Sequence, residues 1–331
     1  MTEPQTVCVI IAAYNATATI GRAILSALAE PEVAEVYVID DCSSDNTAAA
    51  ARAADDGTNR LAVISLEANA GPSAARNIGI AKSISPFIAV LDSDDFFLPG
   101  RFAALFAEPG WDIAADNIVF IDQHAVGSID PIAIANHRIA PRRLTAAAFI
   151  EGCITRADSY KGELGFLKAV FRRQFLDYHD LRYSENLRLA EDYELYARAL
   201  MQGARFVIGA GCHYVAVERA DSLSAVHTVR DLLNIEQADR MLLASAPADR
   251  DLRFQLERHY AQTIGKQRHR ALLDRKREVG TVKALSEQAS KPRLLGKTLI
   301  AILRDKLNAI GMLRSPAPPP RINGLRFLLS D

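Results

Sequence analysis

The sequence predicts an α/β fold: a mostly parallel, doubly wound sheet with helices on both faces, followed by a helical C-terminal region. Three observations carry this. Short apolar runs alternate four times with helical patterns over the first hundred residues, as expected of βαβ units with right-handed crossovers. The composition, 49% hydrophobic and 24% charged over 331 residues, is that of a globular protein with material for a sizeable core. From about residue 228 the pattern turns helical and strongly charged.

Each element has its own warrant. "VCVIIAA" (7–13) is a continuous, β-branched apolar run, which marks a strand buried on both faces. Ile20, Ala23, Ile24, Ala27 and Leu28 then follow helical spacing. "EVYVID" (35–40) is a second strand, and "SSDNTAAAARAADD" (43–56) opens with capping residues and continues as an Ala-rich helix. "LAVISL" (61–66) is the third strand, "PSAARNIGIAKSI" (72–84) a helix with Pro in its first turn, and "PFIAVLD" (86–92) the fourth strand. Beyond it, "NIVFID" (117–122) and "GFLKAVF" (165–171) read as strands, and "RFVIGAGCHYVAVE" (205–218) as one or two. "AEDYELYARALMQGA" (190–204) reads as a helix with an acidic first turn, favourable to its dipole.

Composition narrows the function. A net charge of −1 provides no global field for nucleic acid or an anionic membrane. The cysteines Cys8, Cys42, Cys153 and Cys212 are scattered without a CxxC pair, which argues against a zinc or disulfide framework and fits a reducing compartment. The opening "MTEPQT" lacks the features of a signal peptide, and no apolar stretch approaches the ~18–20 residues of a membrane span. The expected location is the cytoplasm.

Ligands of open α/β sheets bind beyond the carboxyl ends of the strands. The polar residues there are Tyr14 and Asn15, Asp40 and Asp41, Glu67 and Asn69, and the run Asp92 to Asp95. "AVLDSDDFF" sets Asp92, Asp94 and Asp95 side by side after a buried strand. Such crowding suits a hard divalent cation, Mg²⁺ or Mn²⁺, arriving with a diphosphate. A solvated acidic turn is the other reading, and the position after the fourth strand weighs against it. No G-x-G-x-x-G follows the first strand and no P-loop occurs, so the usual phosphate cradles are missing.

With these residues in view, "VIIAAYNATATIGRAILSAL", "VYVIDDCSSDNT", "NAGPSAARNIGI" and "AVLDSDDFFLPGRF" resemble, in order, the motifs of the family 2 glycosyltransferases. These are inverting enzymes with the nucleotide-diphospho-sugar transferase, or GT-A, fold. The resemblance covers roughly residues 6–215. In length and in lacking spans the chain is similar to soluble exopolysaccharide glycosyltransferases of the succinoglycan type. The resemblance implies a catalytic domain over 1–225, split into a nucleotide-sugar half (1–122) and an acceptor half (123–225). A helical region (226–314) and a Pro-rich tail (315–331) follow.

The resemblance also implies roles. Tyr14 lies against uracil, with the backbone of Ala12, Ala13, Tyr14 and Asn15 around the nucleoside. Asp41 accepts from the uracil N3–H, with Asp40 beside it. Arg76 approaches the diphosphate or the metal-side carboxylates, and Asn77 supports its loop. Asp92, Ser93 and Asp94 form the D-x-D; Asp92 contacts ribose or sugar, and Asp94 and Asp95 hold Mn²⁺ or Mg²⁺. Glu191 and Asp192 carry the base function, with Asp192 as the general base. Acidic residues at a helix N-terminus also stabilise the helix without catalysis.

The expected activity is metal-dependent, inverting transfer of a hexose, glucose first among candidates, from a UDP-sugar to a saccharide acceptor. The acceptor is expected to be a lipid-linked oligosaccharide of exopolysaccharide biosynthesis, and the product a β-linkage. A nucleotidyltransferase making NDP-sugars, and a non-catalytic nucleotide-sugar-binding module, stay open. Arg219, Ser222, Ser224 and His227 sit in a stretch that is either a loop over the diphosphate or an ordinary loop. Lys168 and Arg172 read as a solvated face more readily than as contacts to an anionic acceptor. Segment 291–314 is basic and amphipathic, which leaves open a peripheral contact with the inner face of the plasma membrane or packing within the protein. A homodimer through the charged helices also stays open.

Overall fold

The computed structural model describes residues 4–155, 164–219, 227–281, 283–284, 321–322 and 325–329. The basic segment 291–314 lies outside these residues, as do Ser222 and Ser224.

The first half builds as the hydrophobic pattern requires. β1 (Val7–Ala13), α1 (Ile20–Leu28), β2 (Val33–Asp40), α2 (Thr47–Ala53), β3 (Leu61–Ser65), α3 (Pro72–Lys82) and β4 (Phe87–Val90) alternate along the chain. β1 pairs in parallel with β2 and with β4, and β2 with β3. Val7, Cys8, Val9, Ile10 and Ile11 of β1 have no exposed surface, as a central strand covered on both faces should. α1 buries Ile20, Ala23, Ile24, Ala27 and Leu28, the set its spacing predicts. Each large aliphatic side chain so buried contributes about 1.5–3 kcal/mol. α3 lies close on β1: a Cβ on Gly79 would fall 2.6 Å from Cγ2 of Ile10, so only glycine permits this approach.

The second half extends the sheet. β5 (Phe96–Phe97), α4 (Arg101–Ala107), β6 (Ile113–Asp122), α5 (Pro131–Ala135), β7 (Arg142–Leu144), α6 (Ala146–Cys153), β8 (Val170–Arg172), α7 (Arg173–Tyr178), α8 (Glu191–Met201) and β9 (Phe206–Glu218) follow. β8 lies antiparallel between β4 and β6, and β9 pairs in parallel with β6. The expected strand over 165–171 shrinks to Val170–Arg172, because residues 164–166 form a 3₁₀ turn and Lys168 leaves the sheet for the carboxylates described below. The stretch 205–218 is one strand.

α9 (Val229–Ser245) and α10 (Arg250–Val279) form the helical region. α9 starts at a capping box of Thr228 and Asp231. The fully buried Asp239 of α9 accepts from the hydroxyls of Tyr193 on α8 (2.9 Å) and Thr263 on α10 (2.8 Å) and contacts Nδ1 of His259. These bonds tie the region to α8. The stretch read as a tail returns to the sheet: β10 (Arg321–Ile322) pairs with β11 (Leu325–Phe327), which pairs antiparallel with β6. The buried Asn117 fixes that return, giving its amide to the Leu329 carbonyl (3.0 Å) and accepting from the Leu329 N–H (2.9 Å). No helix among the described residues is long and apolar enough to cross a membrane.

Candidate active site

The ends of β1, β2 and β4 bring the sequence-predicted residues to one rim. Asn15 turns the chain out of β1 with φ 50°, a left-handed conformation that Asn tolerates better than most residues. Its Oδ1 accepts from Ser44 N–H (2.8 Å), and its own N–H donates to Ser43 Oγ (2.9 Å). The loops after β1 and β2 are thus laced together, leaving Tyr14 52% exposed beside Ala12 and Ala13. Asp40 accepts from Ser43 N–H (3.2 Å). Both oxygens of the buried Asp41 are engaged, accepting from the N–H groups of Ala70 (2.7 Å) and Gly71 (2.8 Å). Asp41 therefore fixes the glycine turn that launches α3.

α3 carries Ser73, Arg76 and Asn77 on one face, at the spacing that makes helix neighbours. Ser73 donates to the Leu187 carbonyl (2.7 Å). Asn77 donates to the Tyr183 carbonyl (2.9 Å) and accepts from the Tyr183 N–H (2.9 Å). The stretch leading into α8 is thereby pinned to α3. Ala190 then enters α8 with φ 63°, a strained conformation for alanine that sets the direction of the next two side chains.

Those side chains close a buried network. Arg76, 3% exposed, donates through Nη1 to Glu191 (2.6 Å) and through Nη2 to Asp92 (2.9 Å), with Nη1 3.7 Å from Asp192. Lys168 Nζ stands 2.9 Å from Oδ2 of Asp92 and 2.9 Å from Oδ2 of Asp192. The Tyr183 hydroxyl donates to Oδ1 of Asp192 (3.1 Å). Burial raises the pKa of Asp92, but the charges of Lys168 and Arg76 outweigh it and hold the carboxyl at about 2. Burial outweighs Arg76 at Glu191 and raises its pKa.

The remaining rim carboxylates differ from one another. Asp94 faces Arg219 at 3.2 Å; burial and the Asp92 charge raise its pKa against that cation. Asp95 is buried, accepting from the Tyr214 hydroxyl (2.7 Å) and the Val217 N–H (2.8 Å), and burial beside Asp92 and Asp94 pushes its pKa well up. Ser93 lies between Asp92 and Asp94 and is partly exposed. Asp94 thus keeps more of its carboxylate available than Asp95, whose oxygens brace the turn. Among the described residues no three His, Cys, Asp or Glu gather as a metal cluster. The donor set at Asp94 is hard oxygen, which suits Mg²⁺ or Mn²⁺ completed by phosphate oxygens and water.

Two comparisons decide the family. Residues 8–155 match the model described as Glycosyl transferase family 2. The succinoglycan biosynthesis protein ExoU of Rhizobium meliloti is 48% identical over 319 residues, 95% of this chain and 92% of that protein. The chain is a family 2 glycosyltransferase.

A second protein of that organism, the succinoglycan biosynthesis protein ExoO, is 36% identical over 88% of the chain and 80% of its own length. The crystal structure of S. aureus TarS 1-349 in complex with UDP-GlcNAc superposes with a TM-score of 0.59, covering 97% of this chain and 95% of that one at 18% identity. At that identity the likeness concerns the GT-A fold alone. As a family 2 glycosyltransferase the chain is an enzyme, and the nucleotidyltransferase and non-catalytic readings fall away.

In this glycosyltransferase Lys168 is where sequence reasoning went astray. It is buried among carboxylates instead of forming a solvated face, whereas Arg172 lies elsewhere, over the rings of Phe87 and Trp111. Tyr183 and Tyr214 were missed altogether. Arg101, the arginine of "DDFFLPGRF", is fully buried, pairs with Asp116 (2.9 Å) and donates to the Lys168 carbonyl, so it places that residue.

Proposed function

We propose that this glycosyltransferase moves a hexose, glucose first among the candidates, from a UDP-sugar to a saccharide acceptor by one inverting displacement. The observation that carries the reading is the single buried network joining the Asp92 rim to Asp192, through Lys168 at 2.9 Å from each and through Arg76. It holds a donor-side carboxylate and a carboxylate able to serve as base at a fixed separation, as a transfer between two bound substrates requires.

The acceptor hydroxyl oxygen attacks the anomeric carbon, its proton passes to Asp192, and the bond to the diphosphate breaks with its electron pair leaving on UDP. An α-linked donor gives a β-linkage. Tyr183 orients Asp192, and Glu191 balances Arg76. Tyr14 with Ala12, Ala13 and Asn15 receives the nucleoside, and Asp40 and Asp41 shape the uracil edge. Asn77 holds the supporting loop, and Asp92 with Ser93 faces ribose or sugar. Asp94, with Asp95 behind it, would hold Mn²⁺ or Mg²⁺; such a cation neutralises charge gathering on the leaving diphosphate. Arg219, 3.2 Å from Asp94, is a further donor for that side.

The names of ExoU and ExoO support a place in exopolysaccharide biosynthesis. A lipid-linked oligosaccharide at the cytoplasmic face of the membrane is the acceptor we assign, with segment 291–314 as the membrane contact. Release of UDP from a panel of NDP-sugars, with and without Mn²⁺, tests the reading. UDP-glucose turnover that requires the cation and is lost in Asp192→Asn supports it; turnover retained in that variant refutes the assigned base.

A further inference from the structure

Lys168 is a buried cation with two calls upon it. Its Nζ bridges one oxygen of Asp92 and one of Asp192, each at 2.9 Å, and its side chain is 11% exposed. Its main chain is fixed by the buried Arg101, which donates to its carbonyl. The stem beyond that anchor has four rotatable carbons ending in a compact charge. Arg76 is held differently: its guanidinium is locked between Asp92 and Glu191 and lies over the Tyr183 ring. Of the two cations facing the base, Lys168 is the one free to change partner.

The arrangement at Asp192 gives that freedom a consequence. Lys168 occupies Oδ2 and the Tyr183 hydroxyl donates to Oδ1, so both oxygens carry donors and a full positive charge sits on one of them. An incoming acceptor hydroxyl must therefore compete with donors already seated on Asp192. On the other side Lys168 touches Asp92 and acts electrostatically on Asp94, the carboxylate that the donor reading sets against the diphosphate.

We propose that Lys168 is a shared counter-ion: it blocks Asp192 until donor binds, then moves to the donor diphosphate and leaves Asp192 free to take the acceptor proton. This rests on the donor-binding reading above. It makes binding ordered, donor before acceptor, and keeps the base masked when no donor is present.

A double-mutant cycle read by calorimetry tests it, titrating UDP and, separately, uridine into the protein with Mn²⁺. Lys168→Met should weaken UDP about tenfold and leave uridine unchanged, because uridine lacks the diphosphate. Asp192→Asn removes the competing partner and should tighten UDP by about three- to fivefold. That gain should vanish in the Lys168→Met background. A gain of equal size in both backgrounds would overturn the proposal, since Asp192 would then repel the diphosphate directly with Lys168 left in place. Unchanged UDP affinity in Lys168→Met would overturn it too. If the Met variant does not fold, Lys168→Gln, which is polar and likewise removes the charge, completes the same cycle. Failure of the wild-type protein to bind UDP is a separate result that strikes the donor reading itself and removes this proposal's premise.

Discussion

Nη1 of Arg76 donates to Oε1 of Glu191 at 2.6 Å, across 115 positions of chain. One residue comes from the helix after the third strand and the other opens the helix that carries Asp192. The contact therefore joins the two halves of the site. Because both side chains are buried, its energetics are those of an interior ion pair, where losing one partner strands the other.

Arg76→Ala should accordingly cost about 3–5 kcal/mol in stability, because Glu191, Asp92 and Asp192 would lose a buried cation. Urea denaturation of the variant measures this. Arg76→Lys should recover part of the loss and not the whole, since Arg76 meets Glu191 and Asp92 through two separate nitrogens and a lysine offers only one. A loss below about 1 kcal/mol in the Ala variant would be a surface-pair value and would contradict the buried network.

Asp192→Asn should lower transfer by at least about a hundredfold, the lower end of what a positioned general base contributes. Donor affinity should stay within about fivefold, since the side chain is near-isosteric and does not hold the nucleotide. Released UDP measures the rate, and calorimetry the affinity. A parallel collapse of donor binding would mean that the residue supports the donor pocket and not the acceptor.

The parallel half of the fold was legible because β1, β3 and β4 are largely apolar runs and the helices between show either an amphipathic spacing, as α1 does, or a recognisable start, such as Pro72. The acidic rim was legible for the same reason, since Asp92 follows a buried strand directly. Lys168 was not. In "GFLKAVF" a lysine inside an apolar run suggests a solvent-facing strand position, and its partners lie far away in sequence. Tyr183 and Tyr214 gave no signal because a buried tyrosine is normally core. β11 was hidden for another reason: three residues after a Pro-rich stretch carry no period, and its pairing with β6, reinforced at Leu329 by the Asn117 amide, exists only in the tertiary fold.

Asn117→Ala should cost about 1–3 kcal/mol, because the Leu329 N–H and carbonyl would remain buried without partners. Urea denaturation quantifies the loss, and hydrogen exchange at Leu329 should rise selectively. Unchanged exchange there would show that the C-terminal strand is held without Asn117.

The Arg188 guanidinium beside Asp231 holds its carboxyl well below the usual range, burial opposing and the Thr228 bonds assisting. A depressed folded pKa contributes stability above the unfolded value of about 3.9, and that contribution is lost as pH falls below it. Asp231→Asn should therefore cost about 1–2 kcal/mol at pH 7, a range that also covers the lost helix cap. The gap from the wild type should narrow as pH drops from 5 towards 3. Urea midpoints at pH 7, 5 and 3.5 measure it; a gap that widened on acidification would reverse the sign of the argument.

The most direct test is a crystal of the protein soaked with UDP and Mn²⁺, with the metal located by its anomalous signal. The account predicts manganese against the Asp94 carboxylate with diphosphate oxygens completing its shell, and the uracil beside Tyr14. Manganese absent from that rim, with UDP bound elsewhere or not at all, would contradict it.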